Sequence, residues 1–178
     1  VVFTGPSGGG KTTLTRLLNA LAPSYYAGTL TGTISINGKS LTQMPQYTVA
    51  RQIGSVFQDP KSQFFSSELA GETAFACENY GFSAEEIRDR TDDAIVSFDL
   101  NGFRSRNLDV LSSGEKQRVA IASVYALRPD IYVCDEPTSN LDKTGSEQLA
   151  AAFKQLKAEG NTIIIAEHRL SWLHGIAD

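Results

Sequence analysis

The chain has 178 residues, 41% of them hydrophobic and 20% charged, which is enough for one folded domain with a real core and excludes a disordered or fibrous protein. Lys and Arg number 16 against 20 Asp and Glu, a net charge of -4, so the basic footprint of sequence-independent nucleic-acid binding is missing and no nucleic-acid partner is expected. The longest unbroken apolar run, Leu149 to Phe153, is five residues, whereas a membrane-spanning helix needs roughly 18.

Val1 to Thr4 is β-branched and aromatic and runs into the glycine cluster Gly5-Pro6-Ser7-Gly8-Gly9-Gly10, then into Lys11-Thr12-Thr13 and a leucine-rich stretch. That order reads as strand, loop, helix. The start lacks an initiator Met and any signal-peptide pattern, so the chain is read as a piece of a longer protein. Thr33 to Ile36 followed by Asn37-Gly38 predicts a hairpin, because Asn-Gly suits the tight turn between antiparallel strands. Ile53 to Phe57 predicts a short strand ending at Gln58. From Ser66 to about Asp99 the pattern becomes helical, with a capping-box-like start at Ser83-Ala84-Glu85-Glu86.

Ser113 to Leu127 predicts another helix, and Ile131 to Cys134 a buried strand that ends in Asp135-Glu136. A helix from about Lys143 places Leu149, Phe153 and Leu156 on one face and stops at Gly160, and Thr162 to Ala166 is the last strand. Strands alternating with helices imply a mainly parallel sheet covered on both faces. Cys77 and Cys134 stand 57 positions apart with no CxxC spacing and only two histidines, which suggests reduced, buried thiols rather than a disulfide framework or zinc cluster.

Gly5-x-x-x-x-Gly10-Lys11-Thr12 matches the phosphate-loop pattern in full and sits between a strand and a helix, the context that gives the pattern meaning. Glycines let backbone amides turn toward phosphates, and the helix N-terminus adds its positive end. Lys11 would neutralise phosphate oxygens, and the Thr12 hydroxyl would ligate Mg²⁺. Asp135 and Glu136 end a core strand, where open α/β sheets bind ligands. Asp135 is expected to hold Mg²⁺ through water, and Glu136 to orient and polarise the attacking water.

Leu111-Ser112-Ser113-Gly114-Glu115-Lys116-Gln117-Arg118 resembles the ABC ATPase signature, and Asp135-Glu136-Pro137-Thr138-Ser139-Asn140-Leu141-Asp142 resembles that family's Walker B segment and D-loop. Val56-Phe57-Gln58-Asp59-Pro60 is similar to its Q-loop, and Ile165-Ala166-Glu167-His168 to its switch-histidine strand. With the phosphate loop these are the family's motifs in the family's order. The resemblance implies a phosphate-loop NTPase core at residues 1–65 and 120–178, a helical signature subdomain at about 66–119, and hydrolysis of ATP to ADP and phosphate with ATP and Mg²⁺ as cofactors.

Position by position, the resemblance implies that Gly5 to Thr13 hold the ATP phosphates, that Thr12, Gln58 and Asp135 hold Mg²⁺, and that Lys11, Gln58, Glu136 and His168 are catalytic. Ser112, Ser113, Gly114 and Glu115 would grip the γ-phosphate of a nucleotide bound by another subunit, and Asp142 would couple the two sites. Ser113 stands where the family has its second glycine, and Glu115 where it has glutamine. The partners implied are a second ABC ATPase subunit, identical or related, and a transmembrane transporter subunit, with the chain peripheral on the cytoplasmic face of the cell membrane.

Gln58 to Ser66 and Glu167-His168-Arg169-Leu170 resemble the energy-coupling-factor and cobalt-type importer ATPases, which implies import of a vitamin, a vitamin precursor or a transition-metal ion. Two alternatives stand beside this: a non-transport ABC ATPase of DNA repair, chromosome organisation or translation, and a weakly hydrolysing regulatory subunit. Only 53 positions separate Gln58 from Leu111, too few for a long coiled coil.

Overall fold

The computed structural model describes residues 1–177. In chain order its elements are β1 (Val2–Phe3), α1 (Lys11–Leu18), the hairpin β2 (Ser35–Ile36) and β3 (Lys39–Ser40), α2 (Gln46–Gln52), β4 (Ile53–Val56), α3 (Leu69–Asn79), α4 (Ala84–Ser97), α5 (Ser113–Ala126), β5 (Ile131–Asp135), α6 (Lys143–Ala158) and β6 (Thr162–Ala166). β1, β4, β5 and β6 form one parallel sheet in the order β1-β6-β5-β4, and β2 pairs with β3 alone. Asn37 and Gly38 both have positive φ, as the hairpin turn requires.

Alternation along the strands gives the sheet two covered faces. Tyr132, Cys134 and Ile165 point into a large core built with α3 to α6, while Val133 and Ile53 join Leu41 and Val49 in a smaller core under α2 and the hairpin. This is the period-two pattern of a sheet buried on both sides. Gly54 is obligatory on β4: a Cβ there would lie 2.2 Å from Val124 Cγ1 and 2.8 Å from Pro129 Cγ, so α5 packs against bare backbone.

The helical stretch after residue 66 is two helices, broken at Gly81, where φ is +70°. Ser83 caps α4 by accepting from the Glu86 amide, but Glu86 returns to the Ser83 hydroxyl rather than to its backbone. The complete reciprocal capping box lies instead at Ser112 and Glu115 on α5. α2 carries no strong periodic signal in the sequence; its buried Val49 ties it to the smaller core. Leu149, Phe153 and Leu156 of α6 are all fully buried, and both cysteines are buried free thiols.

Register decides where the site sits. Phe3 pairs with Ala166, and Ala166 with Asp135, so β1, β6 and β5 end level and their following loops leave one edge of the sheet together.

Candidate active site

At that edge the glycine loop wraps around the Lys11 side chain. Gly8 and Gly10 adopt positive φ, Gly10 serves as N-cap of α1, and the Gly9 amide donates to the Pro6 carbonyl at 3.1 Å. Lys11 is buried, with Nζ donating to the carbonyls of Gly5 (3.0 Å) and Pro6 (3.1 Å). Pro6 to Gly10 and Thr13 are exposed, so amides of an exposed loop precede a helix N-terminus.

Glu136 is the residue after β5 and has φ +44°, a left-handed backbone that costs a non-glycine residue of order 1 kcal/mol. Its amide donates to the Ala166 carbonyl at 2.8 Å. In this pose its carboxylate bridges two loops: Oε1 lies 3.3 Å from Lys11 Nζ and Oε2 lies 3.5 Å from His168 Nδ1. His168 is 48% exposed and its Nδ1 also lies 3.3 Å from Oε1 of the fully buried Glu167.

Beside this cluster a cleft of about 370 Å³ is lined by Thr12, Thr15, Gln58 and Asp135, with Arg16 and Tyr26 at its rim. Arg16 stacks on the Tyr26 ring at 3.8 Å. Asp135 is 6% exposed and its Oδ1 has no hydrogen-bond partner. Burial is the main reason its pKa lies above the usual carboxylate value; the Glu136 charge adds to it, and the Thr12 and Thr15 hydroxyls and Arg16 oppose it. A buried, unpaired carboxylate oxygen on a cleft that a threonine and a glutamine also line supplies hard oxygen donors, which fits a divalent cation such as Mg²⁺. Gln58 is exposed, and its carbonyl accepts from Asn140 Nδ2 at 3.5 Å, joining the end of β4 to the loop after β5.

Ser112 to Glu115 are elsewhere. The Ser112 amide and hydroxyl both donate to Glu115 Oε2 at 2.7 Å, and the Glu115 amide returns to Ser112 Oγ at 3.3 Å. Bonding to Ser112 holds the Glu115 carboxyl below its usual pKa. Among the described residues, none of these hydrogen bonds reaches the phosphate loop of the same chain. Asp142 caps α6, its Oδ1 accepting from the Gly145 amide at 2.7 Å, and Gly145 lies against Gly114. The signature turn and the start of α6 thus adjoin each other.

Three polar residues to which the sequence assigned no role hold these loops. Gln63 accepts from the Phe57 amide and donates to the Ala120 carbonyl. Glu167 accepts from the Thr138 hydroxyl, and Arg169 donates to the carbonyls of Thr138 and Leu141. A signal for Glu167 was present: Ile163 to Ala166 is an apolar run ending in an acid, as Ile131 to Cys134 is.

Residues 1–139 match the family model described as ABC transporter. Two ABC transporter ATP-binding proteins of Treponema denticola are 42% and 43% identical over the whole chain, which spans 36% of the length of each. One from Pyrococcus horikoshii is 36% identical, with 66% of its length spanned. The chain therefore covers about a third of the first curated relatives it matches. Among solved structures, cbiO1 from Clostridium perfringens, part of the ABC transporter complex cbiONQ, superposes with a TM-score of 0.88 at 30% identity, over 99% of this chain and 70% of that one. With the family model matched along 139 of 178 residues and the phosphate loop, both strand-end acids and the histidine gathered at one sheet edge, this chain belongs to the ABC transporter family as an ATP-binding unit.

Proposed function

We propose that the chain hydrolyses ATP to drive import through a membrane subunit. The observation that carries the reading is the Glu136 carboxylate, held between Lys11 Nζ at 3.3 Å and His168 Nδ1 at 3.5 Å. An acceptor so placed can orient a water and take its proton, while Lys11 and the amides of Gly5 to Thr13 hold the phosphates and His168 steadies the charge that builds on the γ-phosphate. Thr12, Asp135 and Gln58 would hold Mg²⁺, whose charge offsets that of the phosphate oxygens when it is bound.

Residues 1–65 and 120–178 form the nucleotide-binding core in this reading, and about 66–119 the helical subdomain. The signature turn, Ser112 to Glu115, exposed at Ser112 and Ser113, completes the site of a second ATPase subunit head to tail, with Asp142 between the two sites. A transmembrane subunit docks against an apolar cleft of about 300 Å³ beside β4, where the 75%-exposed Phe65 stacks on Phe75 at 4.6 Å. The place of cbiO1 in an ABC transporter complex supports such partners. The resemblance of Gln58 to Ser66 and of Glu167 to Leu170 to importer ATPases supports a small cargo, a vitamin, vitamin precursor or transition-metal ion, with the chain peripheral on the inner membrane face. No helix among the described residues is long and apolar enough to cross a membrane.

A second reading, a weakly hydrolysing regulatory subunit, is favoured by one feature: Glu115 already occupies the Ser112 amide and hydroxyl. Size-exclusion chromatography of full-length Glu136→Gln protein with and without Mg-ATP tests the proposal. An ATP-dependent shift to the dimer, with turnover in the parent, is expected. Nucleotide binding without turnover in the parent leaves the regulatory reading, and no nucleotide binding at all removes both.

A further inference from the structure

Glu167 is fully buried at the end of β6, and its carboxylate joins two loops. Oε1 accepts from the amides of His168 (2.8 Å) and Arg169 (3.0 Å) and lies 3.3 Å from His168 Nδ1. Oε2 accepts from the Thr138 hydroxyl, also fully buried, in the turn after β5. From its other side Arg169 ties the same turn, donating to Thr138 O at 3.0 Å and Leu141 O at 3.4 Å. A carboxylate removed from water is costly unless its lone pairs are filled. Both oxygens are filled here, by groups from the two loops that carry Glu136 and His168.

We propose that Glu167 is a positioning residue for the reaction: it fixes the His168 imidazole beside Glu136 and locks the turn at residues 136–142 to the end of β6. The inference rests on the reading that this site hydrolyses ATP. His168 is half exposed, and its ring has two polar neighbours, Glu136 Oε2 at 3.5 Å and Glu167 Oε1 at 3.3 Å. Remove Glu167 and one contact remains to hold the ring against rotation into solvent. The Thr138 bond extends the effect to the loop that bears Glu136 and, through Leu141, to Asp142.

The test uses the full-length protein and the variants Glu167→Ala, Glu167→Gln and Thr138→Val. Glu167→Ala is expected to lower kcat for ATP by about 30-fold or more, with KM changing less than about threefold. Glu167→Gln keeps an acceptor for both amides and is expected to recover most of that loss. Combined with His168→Ala, which removes the ring that Glu167 places, Glu167→Ala is expected to add clearly less than its full loss, only the part that acts through the Thr138 turn remaining. Fully multiplicative losses in that double variant, or a kcat for Glu167→Ala within twofold of the parent, would overturn the proposal.

Should Glu167→Ala not fold, Glu167→Gln and Thr138→Val decide the matter by nitrogen NMR of histidine-labelled protein. The ring signals of His168, identified with His168→Ala, are expected to move in Glu167→Gln while those of His174 stay in place. Unmoved His168 signals, or a Thr138→Val protein with unaltered kcat, count against the proposal. Because the NMR readout needs no turnover, a parent protein that does not hydrolyse ATP removes the enzymatic reading and leaves the His168–Glu167 contact separately testable.

Discussion

Lys11 and Glu136 are joined across two loops, with the carbonyls of Gly5 and Pro6 completing the surroundings of the ammonium. Lys11→Ala takes away the buried cation, and ATP affinity measured by equilibrium binding is expected to fall at least about tenfold. Glu136→Gln keeps the shape and loses the proton acceptor. Phosphate release is then expected to drop by about 100- to 1,000-fold with nucleotide binding intact, and normal turnover would refute the role. Asp135 is a buried charge whose pKa is pushed up by desolvation. Asp135→Asn should therefore raise the unfolding temperature of ligand-free protein by a few degrees, on the order of 1 kcal/mol, while Mg²⁺-dependent turnover is lost. Calorimetry and an ATPase assay read the two effects separately. The placement of Lys11, Thr12 and Asp135 at the site was legible in the sequence because a short spacing fixes them locally. The link that Glu167 makes to Thr138 was not, because those two residues come together only when β5 and β6 lie side by side.

At the level of elements, the strands and most helices followed from apolar periodicity, whereas the closeness of their packing did not. Nothing local distinguishes Gly54 in Ile53–Val56 from a tolerated glycine, yet a methyl there would lie 2.2 Å from Val124. Gly54→Ala is expected to cost about 2 kcal/mol in a denaturant titration, since α5 must shift off the sheet. Helix α5 begins at the Ser112–Glu115 capping box. The Glu115 carboxyl is held below its ordinary value of 4.5 by the Ser112 hydroxyl and amide. A carboxyl with a depressed folded pKa stabilises the fold above its unfolded pKa, and that contribution is lost as pH falls through the folded one. Glu115→Ala is expected to lower stability by about 1 kcal/mol at neutral pH. The difference from the parent should begin to shrink as pH falls below about 4.5 and close below the depressed folded value, where both proteins lack the charged cap.

For the molecule as a whole, the placement of Ser112 to Glu115 on the far turn of α5 makes a composite site testable by complementation. Lys11→Ala and Ser112→Arg chains are each expected to be inactive as self-pairs. A mixed pair holds one site with both defects and one with neither, so mixing the two proteins should restore about a quarter of the parent's turnover. No recovery on mixing would mean that the chain does not pair with itself, and the same assay with a second ATPase would follow.

The sequence by itself determined the phosphate loop, the strand-end acids, the order of the motifs and an α/β fold, because each depends on residues within a few positions of one another. Tertiary structure alone decided that Phe3, Ala166 and Asp135 end in register, which brings Lys11, Glu136 and His168 within 3.5 Å contacts of each other in series. It also decided that Glu167 and Arg169 strap that edge together. The physical reason is that parallel strands place side by side residues far apart in the chain, 31 positions for Asp135 and Ala166 and 163 for Phe3 and Ala166, and hydrogen bonds over such separations leave no periodicity in the chain to read.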